Sequence, residues 1–251
     1  MLGFLIRIGP GEALVKQIVS DLVEGGSLKY MACANPNALV EGGRDELSRL
    51  CLLSADYLIP DGVGILIASW LLGGRIRDRV TGSDIFLGIS RELNEKGGCR
   101  YFFLGSTDDV LGKIATRLSA DFPKITMAGC LAPPFKEEFS PEDDRLMVEA
   151  INGARADALW VGMTALKQEK WVCRNRSRLN VRFIGAIGAV FDFYAGTKRR
   201  SPVWALRRGL EWLPRLLWEP RRLWRRTFVS APVFLWLVLR ERMGGRAAHI
   251  G

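Results

Sequence analysis

A chain of 251 residues and 28.0 kDa, 48% hydrophobic and 25% charged, can bury a substantial core in one large domain or two closely packed lobes, which excludes disordered and fibrous classes. The net charge of +9 is localised: residues 1–197 carry 23 Lys and Arg against 24 Asp and Glu, residues 198–226 ten against two, and residues 227–251 three against one. The basic C-terminal segment therefore prefers anionic partners such as lipid headgroups or a diphosphate, whereas a neutral body with no basic groove argues against nucleic acid.

In chain order, strand-like apolar runs fall at 2–8, 28–34, 57–60, 100–105, 124–130, 157–163 and 181–188. Amphipathic, helix-like stretches separate them at 11–25, 45–56, 62–74, 83–97, 108–123, 141–156 and 167–180. This alternation predicts an α/β fold, a Rossmann-like and mostly parallel sheet flanked by helices. After Gly196 it stops, so the chain divides into an α/β catalytic body, 1–197, and a basic, Trp- and Arg-rich helical appendage, 198–251. The opening MLGFLIRIGPGE is too short in its apolar part for a leader peptide. The late apolar run 228–239 is shorter than the ~20 residues of a spanning helix and contains Pro232. A peripheral membrane contact is expected rather than a span.

Chemistry is narrowed by the histidine count: the single one, His249, leaves no material for Ser-His-Asp triads, Cys-His pairs or His-ligated metals. Five scattered cysteines without a C-x-x-C pair fit reduced thiols in a cytosolic protein and not a zinc site. In a parallel sheet, ligands bind at the loops leaving the carboxyl ends of strands. Those loops hold the candidates. Asp61, in LIPDGVG, is either a helix N-cap or a general base. Gly105 opens LGSTDDV, which lacks the full G-x-G-x-x-G pattern; its backbone N–H groups hold a phosphate, or the loop is a plain turn. Asn35 and Gln168 are caps or sugar-hydroxyl ligands, and Arg79 is a surface charge unless its loop turns inward. No D-x-D pair is present to hold a metal on a diphosphate, so arginines or helix N-termini must neutralise a leaving group.

Five motifs occur in order: PDGVG, RVTGSD, KQEKW, GAVFDFYAG with RRSPVW, and EWLPRLLWEPRRLWRR. Together they resemble the WecG/TagA/CpsF family of bacterial glycosyltransferases over residues 30–228, the last motif being the most specific. The resemblance implies a metal-independent, inverting enzyme that needs no cofactor. It would move a sugar, often N-acetylmannosamine and in related members glucose or a uronic acid, from a UDP-sugar to a polyprenyl-diphosphate-linked saccharide in cell-surface polysaccharide synthesis. A cytoplasmic protein peripheral at the inner face of the plasma membrane is implied, docked on anionic lipid through its C-terminal tail; a homo-oligomer is left open. Carried over by motif, Asp61 is the catalytic base. Cys33, Asn35, Arg79 and Gln168 bind substrate; Arg215, Arg222 and Arg225 join Gly105 at the diphosphate. The sequence departs from the family pattern at Cys33 (threonine), Thr164 (glycine), Leu166 (proline) and Pro214 (an aromatic). A non-catalytic, membrane-peripheral nucleotide-binding α/β protein is the alternative reading.

Overall fold

A computed structural model describes residues 1–199, 201–202, 205 and 212–247 of the chain. The side chains of residues 215, 222, 223, 225, 226 and 245–247 lie outside the described residues. Six strands, all parallel, form one sheet: β1 (Lys29–Ala34), β2 (Tyr57–Pro60), β3 (Cys99–Gly105), β4 (Ile125–Leu131), β5 (Ala158–Gly162) and β6 (Phe183–Ala186). Their order is β2-β1-β6-β5-β3-β4. The α/β expectation holds, and each strand had been expected within a residue or two of its bounds.

The run 2–8 is not a strand. Leu2 and Gly3 have positive φ (48° and 75°), and Phe4 N–H closes the turn on the Met1 carbonyl at 2.9 Å. Its link to the sheet is the Arg7 N–H on the Leu58 carbonyl, 2.8 Å. One such bond leaves the segment a flap on the β2 edge.

Because strand side chains alternate between faces, two cores form. Met31, Cys33, Tyr101, Phe103 and Trp160 point to one face, under α1 (Gly11–Glu24), α5 (Gly82–Glu95), α6 (Asp108–Asp121) and α9 (Val190–Ala195). There Trp160 meets Phe86, Tyr101 and Phe183 edge-on, with centroids 5.0–5.6 Å apart, the geometry that ring quadrupoles favour. Tyr30, Ala32, Ala34, Phe102, Leu104 and Val161 point to the other face. It is covered by α2 (Pro36–Arg44), α3 (Glu46–Leu53), α4 (Val63–Leu71), α7 (Pro141–Gly153) and α8 (Lys167–Asn175).

The C-terminal segment is helical: α10 (Trp212–Trp218), α11 (Pro220–Arg225), a π-helical turn at Arg226–Ser230 and α12 (Ala231–Ala247). Pro232, which lacks an N–H, stands one residue past the π-helical turn Arg226–Ser230, and the helical run continues through it along α12. The helix packs on α2 and α4 and buries Phe234 and Val238 in the second core. No helix among the described residues is long and apolar enough to cross a membrane.

Candidate active site

The carboxyl ends of β1 and β2 are adjacent, and their loops are locked together. Asp61 N–H donates to the Ala34 carbonyl at 2.8 Å, extending the β1–β2 ladder by one residue. Gly62 then takes φ 99°, a conformation that a side chain disfavours, and α4 begins. A Cβ on Gly64 would stand 2.5 Å from the Pro36 ring, so the second glycine of PDGVG lets α4 lie against α2. This contact brings Asp61, half-buried, beside Asn35. Asn35 itself caps α2: its Oδ1 accepts the Ala38 N–H at 3.0 Å.

Cys33, the next-to-last residue of β1, is buried, and its thiol reaches the Ala186 carbonyl of β6 at 3.6 Å. Burial, then the charges of Asp61 and Glu169, push this thiol well above its ordinary range. It is therefore a neutral side chain at neutral pH and not a nucleophile.

Arg79 is brought to the same corner. Its neighbour Val80 donates its N–H to the Pro60 carbonyl at 3.2 Å, next to Asp61. Thr81 and Asp84 close a capping box at the start of α5, and a Cβ on Gly82 would stand 3.3 Å from Ile187, in the loop leaving β6, and from Val190 at the start of α9. The RVTGSD loop thus turns inward.

Gln168 is 3% exposed and ties two loops together. Its Oε1 accepts N–H groups from Met163 after β5 (3.2 Å) and Gly188 after β6 (3.1 Å), while Nε2 donates to Glu169 Oε1 at 2.9 Å. With its carbonyl oxygen doubly engaged, it fixes the loops after β5 and β6. Glu169, read from sequence only as a helix-start cap and not as a site residue, is buried at 2% and also accepts the Leu166 N–H. The available signal was its place three residues into a helix, where carboxylates cap. Leu166 has φ 69°, which proline cannot adopt, so the departure from proline here accompanies a left-handed backbone.

Gly105 is not beside Asp61. Four strand spacings separate β2 from β3, about 19 Å at ordinary sheet geometry. Its glycine is required locally: φ is 128°, and a Cβ would meet the Gly162 carbonyl at 2.5 Å. Asp108 and Asp109 occupy the first turn of α6 and set two negative charges where an anion would approach. The β3 and β5 ends do form a switch point, since the chain leaves them toward opposite edges of the sheet.

The backbone of Arg215, Arg222 and Arg225 is helical, but their side chains lie outside the described residues. The appendage is nevertheless on the carboxyl side of the sheet. Trp218 and Glu219 enclose a cavity of about 200 Å³ with Phe193, Lys198 and Arg199, which follow β6. Ser230 Oγ lies 2.9 Å from Asn37 Oδ1 in the first turn of α2. The tail therefore runs from the β6 exit to the β1 exit.

A protein-family model for the glycosyl transferase WecG/TagA/CpsF family matches residues 1–248. Among curated proteins, the chain is 29% identical over 220 residues to a Bacillus spizizenii protein, covering 88% of this chain and 82% of the relative. It is 30% identical over 190 residues to one from Bacillus subtilis strain 168 (76% and 71%), and 24% over 216 residues to one from Staphylococcus aureus strain MW2 (85% and 80%). All three are named N-acetylglucosaminyldiphosphoundecaprenol N-acetyl-beta-D-mannosaminyltransferase. With a parallel α/β body, an aspartate at the β2 exit and a family match over nearly its full length, the chain belongs to the WecG/TagA/CpsF family of glycosyltransferases.

Proposed function

We propose that this glycosyltransferase moves a sugar from a UDP-sugar to a polyprenyl-diphosphate-linked saccharide, with inversion and without a metal, and that Asp61 is its general base. The observation that carries the reading is the corner at the β1 and β2 exits, where a half-buried carboxylate meets Asn35 and the inward-turned Arg79 loop. The relatives' names give the acceptor and sugar class: N-acetylglucosaminyldiphosphoundecaprenol and N-acetylmannosamine.

The donor lies along the carboxyl edge, its nucleotide over the β5–β3 crevice and its anomeric carbon toward Asp61. Asp61 takes the proton of the acceptor hydroxyl as that oxygen bonds to the anomeric carbon from the face opposite UDP. The bond to the diphosphate oxygen breaks with its electron pair, through an oxocarbenium-like transition state. Negative charge then develops on the diphosphate. The sequence has no D-x-D pair to hold a metal there, and the tail arginines Arg215, Arg222 and Arg225 supply the balancing charge; the Gly105 loop, four strand spacings from Asp61, is too distant to share it. Cys33 and Gln168 shape the sugar pocket, Cys33 as a neutral wall and Gln168 by fixing the β5 and β6 loops. The work takes place at the inner face of the plasma membrane, with the basic tail on anionic lipid.

The experiment is a panel of UDP-sugars offered with a polyprenyl-diphosphate-linked N-acetylglucosamine acceptor, with a chelator present and products read by mass spectrometry. A disaccharide product made from one donor is expected. Absence of product from every donor, with UDP bound in calorimetry, would leave the non-catalytic binding protein as the reading.

A further inference from the structure

Helix α4 is anomalous for a surface element. From Gly62 to Gly74 the chain carries no charged residue, yet Trp70 is 69% exposed and Ile67 43%. A helix at the surface of a soluble protein ordinarily turns charged or polar residues outward. The helix α12, packed against α4, repeats the pattern: Phe234 and Val238 are buried, whereas Trp236 and Met243 stand out in solvent. Both are bordered by rims of net positive charge. Arg75 and Arg77, with Asp78, follow α4 and are exposed; Arg240 and Arg242 are exposed on α12, with the Arg240 guanidinium 5.6 Å from the Trp236 ring centroid, and Glu241 between them accepts the Leu2 N–H at 2.9 Å.

We propose that α4 and α12 form one bilayer-docking face. Ile67, Trp70 and Trp236 enter the boundary between headgroups and acyl chains of an anionic membrane, and the four arginines pair with lipid phosphates. The charge pattern selects this occupant over a second copy of the chain. A two-fold contact through α4 and α12 would bring like arginine rims together, which costs free energy, whereas anionic headgroups neutralise them. Tryptophan with flanking arginine is also the composition that partitions to a membrane interface. The docking face thereby extends beyond the basic tail into the catalytic body. Asp61 stands at the start of α4, so seating α4 on the membrane holds the base near lipid-linked saccharide; this last consequence, though not the docking itself, rests on the transferase reading above.

The test is co-sedimentation of the full chain with vesicles of phosphatidylglycerol and phosphatidylcholine, and with vesicles of phosphatidylcholine alone. Replacing Ile67→Glu and Trp70→Glu together should lower partition into the anionic vesicles by about tenfold or more, and Trp70→Phe should largely retain it. Arg75→Glu with Arg77→Glu should lower partition into anionic vesicles only, and supplies the answer if the first pair fails to fold by circular dichroism. Unchanged partition of a folded variant overturns the proposal. So does a variant that loses self-association in sedimentation velocity while still binding vesicles, which would make the face an interface between copies. UDP affinity of the wild type, measured without vesicles, separates the two readings: vesicle binding lost in the variants but no UDP affinity in the wild type sinks the transferase and leaves the docking face standing.

Discussion

Cys33 and Gln168 occupy positions that the family resemblance gives to substrate, and the structure gives each a physical character. The Cys33 thiol, buried beside two carboxylates, is held protonated far above neutral pH. Native protein treated with iodoacetamide at pH 8 should therefore leave Cys33 unmodified until it is unfolded, while exposed Cys130 is labelled; mass mapping checks both. Gln168 accepts the Met163 and Gly188 N–H groups, the second of which also reaches the Val161 carbonyl at 3.2 Å. Gln168→Ala should cost about 1–2 kcal/mol in urea unfolding, mainly from leaving the Met163 N–H and Glu169 without their partner, and weaken sugar binding as the β5 and β6 loops loosen. At this scale the sequence was informative about residue type but ambiguous about role. Cap and ligand use the same asparagine, glutamine and aspartate side chains, and only the three-dimensional partners of Gln168 and Asn35 show what their oxygens are doing. Glu169 was passed over because a carboxylate at the third helical position reads as a cap, which it is, while its burial depends on loops far along the chain.

The strands were legible because a parallel sheet buried on both faces needs uninterrupted apolar runs, and β1, β3 and β5 consist of them. The flap at 2–8 has the same composition without a partner strand for its N–H groups, so pattern alone misassigned it. Helix α2 fell between the stretches assigned from sequence, with 34–37 taken as a loop, although Asn35 followed by Pro36 is a good start signal; its buried residues are few, Ala38, Leu39, Val40 and Gly42. Within the appendage, read from sequence as 198–251, Phe234 and Val238 of α12 are buried in the second core. Phe234→Ala should destabilise the full chain by about 3–5 kcal/mol, as for a large aromatic removed from a closed core, measured by chemical denaturation.

Over the whole molecule, the β1–β2 corner assembles Asp61, Asn35 and the Arg79 loop, the chain leaves β5 and β3 toward opposite edges, and the tail runs past the β6 and β1 exits. Removing residues 198–251 should abolish turnover, because the arginines and the membrane contact go with it. The remaining body should keep an α/β circular dichroism spectrum, less the helical signal of α10 to α12, and melt at lower temperature, since the seat of Phe234 and Val238 on α2 and α4 is uncovered. A truncate with full activity would rule out any role of the tail in charge neutralisation. The central claim is that the Asp61 carboxylate removes the acceptor proton. It is tested most directly by comparing kcat of wild type and Asp61→Asn with saturating donor and acceptor, alongside thermal melts and UDP affinity. The account predicts unchanged melting, retained UDP binding and a kcat lower by about 10²–10⁴-fold. Turnover close to that of the wild type would contradict it.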